Sequence, residues 1–142
     1  MNDALANAWL TGGSLKSLLD GCVLHCYSGT APITADEAVD VASTRLLTVD
    51  VPTTGVSFAT PAVGRSMTAA GLKGTGIATG ALGFFRLCTG TDDGSGVAGA
   101  LDYRIQGSIT TVVVGTGELQ VPTLSVTASS AFDVDAFSLS AP

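Results

Sequence analysis

From Gly21 onward the chain is a succession of short β-prone runs, each cut off by glycine, proline or small polar residues. Such punctuation leaves little room for a long helix and favours a fold in which many short strands pair. Residues 23–28 are apolar and β-prone. Residues 44–51 alternate, with Leu47, Val49 and Val51 on one face and Thr48 and Asp50 on the other. Val56 and Phe58 resume the period of two after a turn over 52–55. Residues 82–89 are apolar on both parities, which predicts a central strand covered on both sides. Strands over 103–106, 109–114, 119–121 and 124–127 follow. In the last run, 132–139, Phe132 and Val134 share one parity while Phe137 and Leu139 take the other. That phase change predicts a β-bulge or a strand turning a corner between sheets. About eight to ten strands rich in Val, Thr and Gly predict an all-β, jelly-roll-like β-sandwich over residues 21–142.

Residues 1–20 have a different period. Leu5 and Trp9 lie one turn apart before Gly12 and Gly13, and Leu15, Leu18 and Leu19 repeat the helical spacing. Ser14 is positioned as an N-cap and Gly21 as a stop. Two helical turns of this length are unstable alone in water and must pack on something. The segment carries more large apolar side chains than it can bury on itself. It is therefore expected to act as a docking arm, with Trp9, Leu10 and Leu15 as protein-interface residues. The plainer reading is a plug that packs on the sandwich.

Composition narrows the function. The 142-residue chain suits one domain, and its hydrophobic content of 46% against 13% charged residues argues against disorder. No run of about 18 apolar residues offers a membrane span, because 69–85 is broken by Lys73 and five glycines. No basic start followed by an apolar stretch marks a secretory signal, so synthesis in the cytoplasm is expected. The net charge is −6 and the six basic residues are scattered, which disfavours nucleic acid as a partner. Cys22, Cys26 and Cys88 are an odd count, and Cys22 and Cys26 on one strand lie about 13 Å apart, too far for a disulfide. All three read as small apolar residues.

The candidate chemistries fail on geometry. Residues 94–99 match G-x-G-x-x-G, but no helix follows and Asp92 and Asp93 would repel a pyrophosphate. Asp92, Asp93 and Gly94 open like a calcium loop, yet its twelfth position would be Tyr103 where a bidentate Glu is needed. A looser Ca²⁺ site or a polar turn are the readings left there. Cys22, His25 and Cys26 have metal-like spacing, but on a strand His25 faces away from both cysteines. Ser28 lacks a nucleophile elbow. Asp133 and Asp135 sit about 7 Å apart on one strand face, with few aromatic residues to hold a sugar. No enzyme, metal or cofactor is expected.

Four segments, in order along nearly the whole chain, carry a resemblance. Residues 5–21 fit L-x-N-A-x-L-x-G-G-S-L-K-x-x-L-x-G, and 21–38 (GCVLHCYSGTAPITADEA) fit G-x-V-L-x-x-Y-S-G-x-x-P-x-x-A-D-x-A. Residues 83–87 fit G-[FW]-F-R-[LV], and 134–142 fit V-x-x-F-S-[LI]-x-x-P. Together they resemble a family of small proteins encoded with the head genes of tailed bacteriophages, and size, acidity and strand pattern also make the chain look like the capsid cement (decoration) proteins of such phages. The chain departs from the pattern at His25 and Cys26, where Leu-Arg-Ile-Tyr is usual, and in the acidic Asp133 and Asp135.

The resemblance implies a jelly roll on the outer capsid surface of the virion that clamps neighbouring major capsid protein subunits. A homodimer is expected, with a trimer as runner-up, because small sandwiches leave β-edges that pairing covers. The competing reading is a receptor- or glycan-binding jelly-roll module of a phage particle, which calls for an aromatic or cation-lined pocket.

Overall fold

Two short helices open the chain, and eleven strands follow in a computed structural model that describes residues 1–12, 14–49, 66–69, 71–114 and 117–140. The expected turn over 52–55 and Val51, Val56 and Phe58 lie outside the described residues. Helix α1 (Asp3–Leu10) is capped by Asn2, whose side chain accepts the Leu5 amide. Helix α2 (Leu15–Leu19) is capped by Ser14, as its sequence predicts, through the Ser17 amide. Gly21 then turns the chain at φ +84°. No helix among the described residues is long and apolar enough to cross a membrane.

The strands are β1 (Val23–Tyr27), β2 (Arg45–Val49), β3 (Ser66–Ala69), β4 (Lys73–Gly76), β5 (Gly80–Ala81), β6 (Phe84–Cys88), β7 (Arg104–Thr111), β8 (Leu119–Val121), β9 (Ser125–Val126), β10 (Ala131–Asp133) and β11 (Ala136–Ser140). Nine of them form one sheet in the order β10-β4-β2-β1-β6-β7-β8-β11-β3, and β5 pairs with β9 separately. Within the large sheet β7 and β8 run parallel.

This order forces the sheet to curl. β10 stands at one end and β11 next to the other, yet only Val134 and Asp135 separate them in sequence. The Val134 amide donates to the Leu72 carbonyl at 3.0 Å, while the next amide, of Asp135, donates to Gln120 beside β11 at 3.0 Å. The phase change in 132–139 is thus a corner where the chain passes from one end of the sheet to the other. Phe132, Val134, Phe137 and Leu139 all reach the core despite their mismatched parities.

The result is a mostly β, sandwich-like fold, a half-barrel closed on its own apolar face. Leu24, Cys26, Leu47, Val49, Phe85 and Leu87 line the inside from the middle strands. Phe85 meets Phe137 from the far wall edge-on, with ring centroids 5.2 Å apart. Each such side chain taken from water contributes about 1.5–3 kcal/mol.

Two expectations change. The strands expected over 103–106 and 109–114 merge into one, β7, and Val112–Val114 leave it as a turn. Strands β3, β4 and β5 lie where no strand was expected, and glycines mask the strand character of β4 and β5. In β4 those glycines are required by contact: a Cβ on Gly74 would lie 2.7 Å from the Thr48 carbonyl oxygen, and one on Gly76 2.2 Å from that of Thr127.

Residues 1–20 share the core of the sheet. Leu5 and Leu19 are fully buried, and Leu15 and Leu18 pack against them. Trp9, one turn from Leu5, is half-buried, while Leu10 is 82% exposed. The plug reading therefore describes Leu5 and Leu19, and the outward face is left to Leu10.

Candidate functional site

Period two gives strands β1, β6 and β7 a second face, and that face is also covered. Cross-strand register sets His25 opposite Arg86 and Arg86 opposite Gln106, Tyr27 opposite Phe84, and Cys88 opposite Arg104. The rings of Tyr27 and Phe84 stack at 5.2 Å. Two long connections, residues 28–44 and 89–103, lie over this layer and bury Arg86 and Arg104 almost completely.

Buried guanidinium groups must find acceptors, and these find loop carbonyls. Arg86 donates from Nη1 to the Gly94 carbonyl at 2.8 Å, from Nη2 to Thr34 at 3.4 Å and from Nε to Gln106 Oε1 at 3.1 Å. Gln106 in turn donates to the Pro32 carbonyl at 2.6 Å. Arg104 grips Asp92 with two nitrogens and donates from Nη1 to the Gly96 carbonyl at 2.7 Å and to Ala35 at 3.5 Å. Tyr27 Oη donates to the Asp93 carbonyl at 2.8 Å, and the Ala98 amide joins the two loops by donating to the Asp36 carbonyl at 2.9 Å.

Asn2 completes the lattice. Its Oδ1 accepts both the Leu5 amide that it caps and the Arg104 amide at 3.0 Å, and its backbone N–H donates to the Arg104 carbonyl at 2.9 Å. One buried side chain therefore fastens α1 to β7.

The electrostatics follow from burial. Desolvation and the Arg104 charge lower the Arg86 pKa, whereas the hydrogen bonds to Asp92 raise that of Arg104. Burial alone would raise the Asp92 carboxyl, but the Arg104 hydrogen bonds and the Gly94 amide outweigh it and hold it below its ordinary value. Desolvation, helped by Arg45, pushes His25 down to about 4, so this imidazole is neutral near pH 7. The thiols of Cys22 and Cys88 are pushed up to about 12, chiefly by burial.

These contacts engage several of the side chains weighed above for chemistry. Asp92 Oδ1 accepts from Arg104 and the Gly94 amide and Oδ2 from Arg104, so the calcium reading loses its first ligand to an arginine. Asp93 accepts from the amide and hydroxyl of Ser95. In the glycine-rich loop the carbonyls of Gly94 and Gly96 point at guanidinium groups, the opposite of an amide cradle for phosphate. His25 faces Thr48 Oγ1 at 3.1 Å while Cys26 is buried in the core. Among the described residues no group of three or more His, Cys, Asp or Glu is placed to hold a metal. Lys73 and Asp133 form an exposed ion pair at 3.7 Å.

The structure also presents what the sequence reading missed. Ile33, Val97 and Leu101 are 94%, 76% and 78% exposed, and all three project from the pinned loops. Each sits beside a tethered group: the Pro32 and Thr34 carbonyls, the Gly96 carbonyl, and Asp102, whose carbonyl accepts from Asn2 Nδ2 at 2.5 Å. Of the interface residues expected from sequence, Leu10 is the exposed one, Trp9 is half-buried and Leu15 packs against the core. A cleft of about 440 Å³ separates α1 from the second loop, lined by Ala4, Ala8, Asp36, Ala98 and Tyr103 among others. Compared with protein-family models, curated proteins and solved structures, the chain matches none.

Proposed function

We propose that the chain is a structural binding protein of a phage head, a cement (decoration) protein that lies on the outer capsid surface and ties neighbouring major capsid subunits together. The observation that carries this reading is the pair of loops held by buried arginines, with Ile33, Val97 and Leu101 standing out into solvent. Loops already ordered lose little entropy on docking, and their apolar tips supply contact area. Half-buried Asp36 and exposed Glu37 lie near these tips and complement a basic partner surface. Two of the segments behind the family resemblance, 21–38 and 83–87, meet here through Arg86 and Thr34. Many modest contacts repeated over a lattice stabilise it by mass action and avidity, without reactive groups.

Heads lacking the protein, mixed with the purified chain and sedimented, test this. The chain should pellet with the heads, and an Ile33→Asp, Val97→Asp double variant should bind at least about tenfold more weakly. A chain that stays in the supernatant, or a double variant that binds as tightly, overturns the proposal. Glycan binding by the isolated chain, with no head binding, would favour a recognition module instead.

A further inference from the structure

Besides Met1, Leu10, Val41 and Ile77, two clustered sets of exposed apolar side chains differ in their electrostatic surroundings. Ile33, Val97 and Leu101 belong to loops that carry Asp36, Glu37 and Asp102. Val112, Val113 and Val114 form a second group at the turn leaving β7, exposed by 49%, 96% and 60%. Their turn is built: the Val114 amide donates to Thr111 at 3.0 Å and the Val112 amide to Val121 at 3.3 Å.

No charged residue occurs from 108 to 117. Glu118, which follows, accepts from the Ser108 amide at 3.1 Å and hydroxyl at 2.9 Å. Asp135, whose amide bonds Gln120, lies across β8 at two strand spacings, about 10 Å. In the uncharged run 109–114 (ITTVVV), Ile109 is buried and residues 109–111 pair with β8, so the apolar surface left in water is that of Val112–Val114.

We propose that the Val112–Val114 tip is the surface through which copies of this chain associate, the valines of one copy packing on those of the next about a symmetry axis. Charge selects this occupant. Each copy carries −6, so two copies repel over most of their surfaces and approach best where charge is absent. A basic partner finds its complement on the acid-bearing loops, not at this tip. An uncharged apolar tip can meet its own image without opposing like charges, as a symmetric contact requires. Association of copies through this tip does not require head binding.

Sedimentation velocity on the full-length chain tests it. The wild-type protein should associate at concentrations up to about 0.1 mM, and Val113→Asp should weaken association at least about tenfold by placing carboxylates face to face. Ile33→Asp should leave association unchanged. Because Cys22, Cys26 and Cys88 are buried, Val113→Cys introduces one accessible thiol, and oxidation with diamide should give a disulfide-linked pair. A wild-type chain that is monomeric throughout, Val113→Asp associating as tightly as wild type, or Val113→Cys failing to cross-link would each overturn the assignment.

Discussion

Asp92 and Arg104 form a two-pronged ion pair beneath a surface loop, Nε on Oδ2 and Nη2 on Oδ1 at 2.7 Å, with side chains only 4% and 1% exposed. Removing one partner of such a pair strands a buried charge, which costs about 3–5 kcal/mol. Asp92→Ala should therefore lower unfolding stability in urea by that amount. The double variant Asp92→Leu, Arg104→Met should lose distinctly less, because no charge remains unpaired. Equal losses would mean that the pair is not buried as described.

His25 supplies a pH signature. Its folded pKa, about 4, lies below the unfolded value of about 6.5, so the unfolded chain binds the extra proton between those limits. Stability is then fully present above about pH 6.5 and falls as the pH drops to about 4, by on the order of 3 kcal/mol. Asp92 acts in a separate window: its depressed carboxyl stabilises the fold above its unfolded value of about 3.9, and this is lost as the pH falls further. Denaturant midpoints measured across pH 4–7 should slope for wild type and flatten in His25→Gln.

Of the glycines in β4 and in the second loop, only the first should resist alanine. A Cβ at Gly76 would meet the Thr127 carbonyl oxygen at 2.2 Å, whereas one at Gly96 meets nothing within 4 Å. Gly76→Ala should destabilise by about 1–3 kcal/mol through overpacking. Gly96→Ala should stay within about 0.5 kcal/mol of wild type. Thermal melts of the two variants decide it.

The N-terminal helices should behave as core on one face only. Leu5 is fully buried and Leu10 is 82% exposed. Leu5→Ala should cost about 2–5 kcal/mol, and Leu10→Ala should be close to neutral for folding. A chain starting at Gly21 should be strongly destabilised, since it loses Leu5, Leu19 and the Asn2 bonds to β7 together. If the truncated chain melts like wild type, residues 1–20 are an appendage after all.

Period, punctuation and capping were legible in the sequence because each is set by a few neighbouring residues. Alternation marked β2, apolar residues on both parities marked β6 as covered on both faces, and Ser14 and Gly21 marked the limits of α2. Even the corner before β11 shows as a parity change between Val134 and Phe137. Strand β4 was hidden because local propensity counts glycine against a strand, while the packing of Gly74 and Gly76 against neighbouring carbonyls demands it.

By itself, then, the sequence determined an all-β chain with a helical start, an acidic surface and no clustered basic residues. Only the tertiary structure decided what the arginines do. Arg86 and Arg104 read as two scattered bases, and pairing of β6 with β7 in one register made them neighbours on one face. Their targets, the carbonyls of Thr34, Gly94 and Gly96, are backbone atoms that no residue type announces. The sequence specifies that acceptor atoms exist at every peptide, but only the folded chain brings particular ones within 3 Å or so of a buried guanidinium.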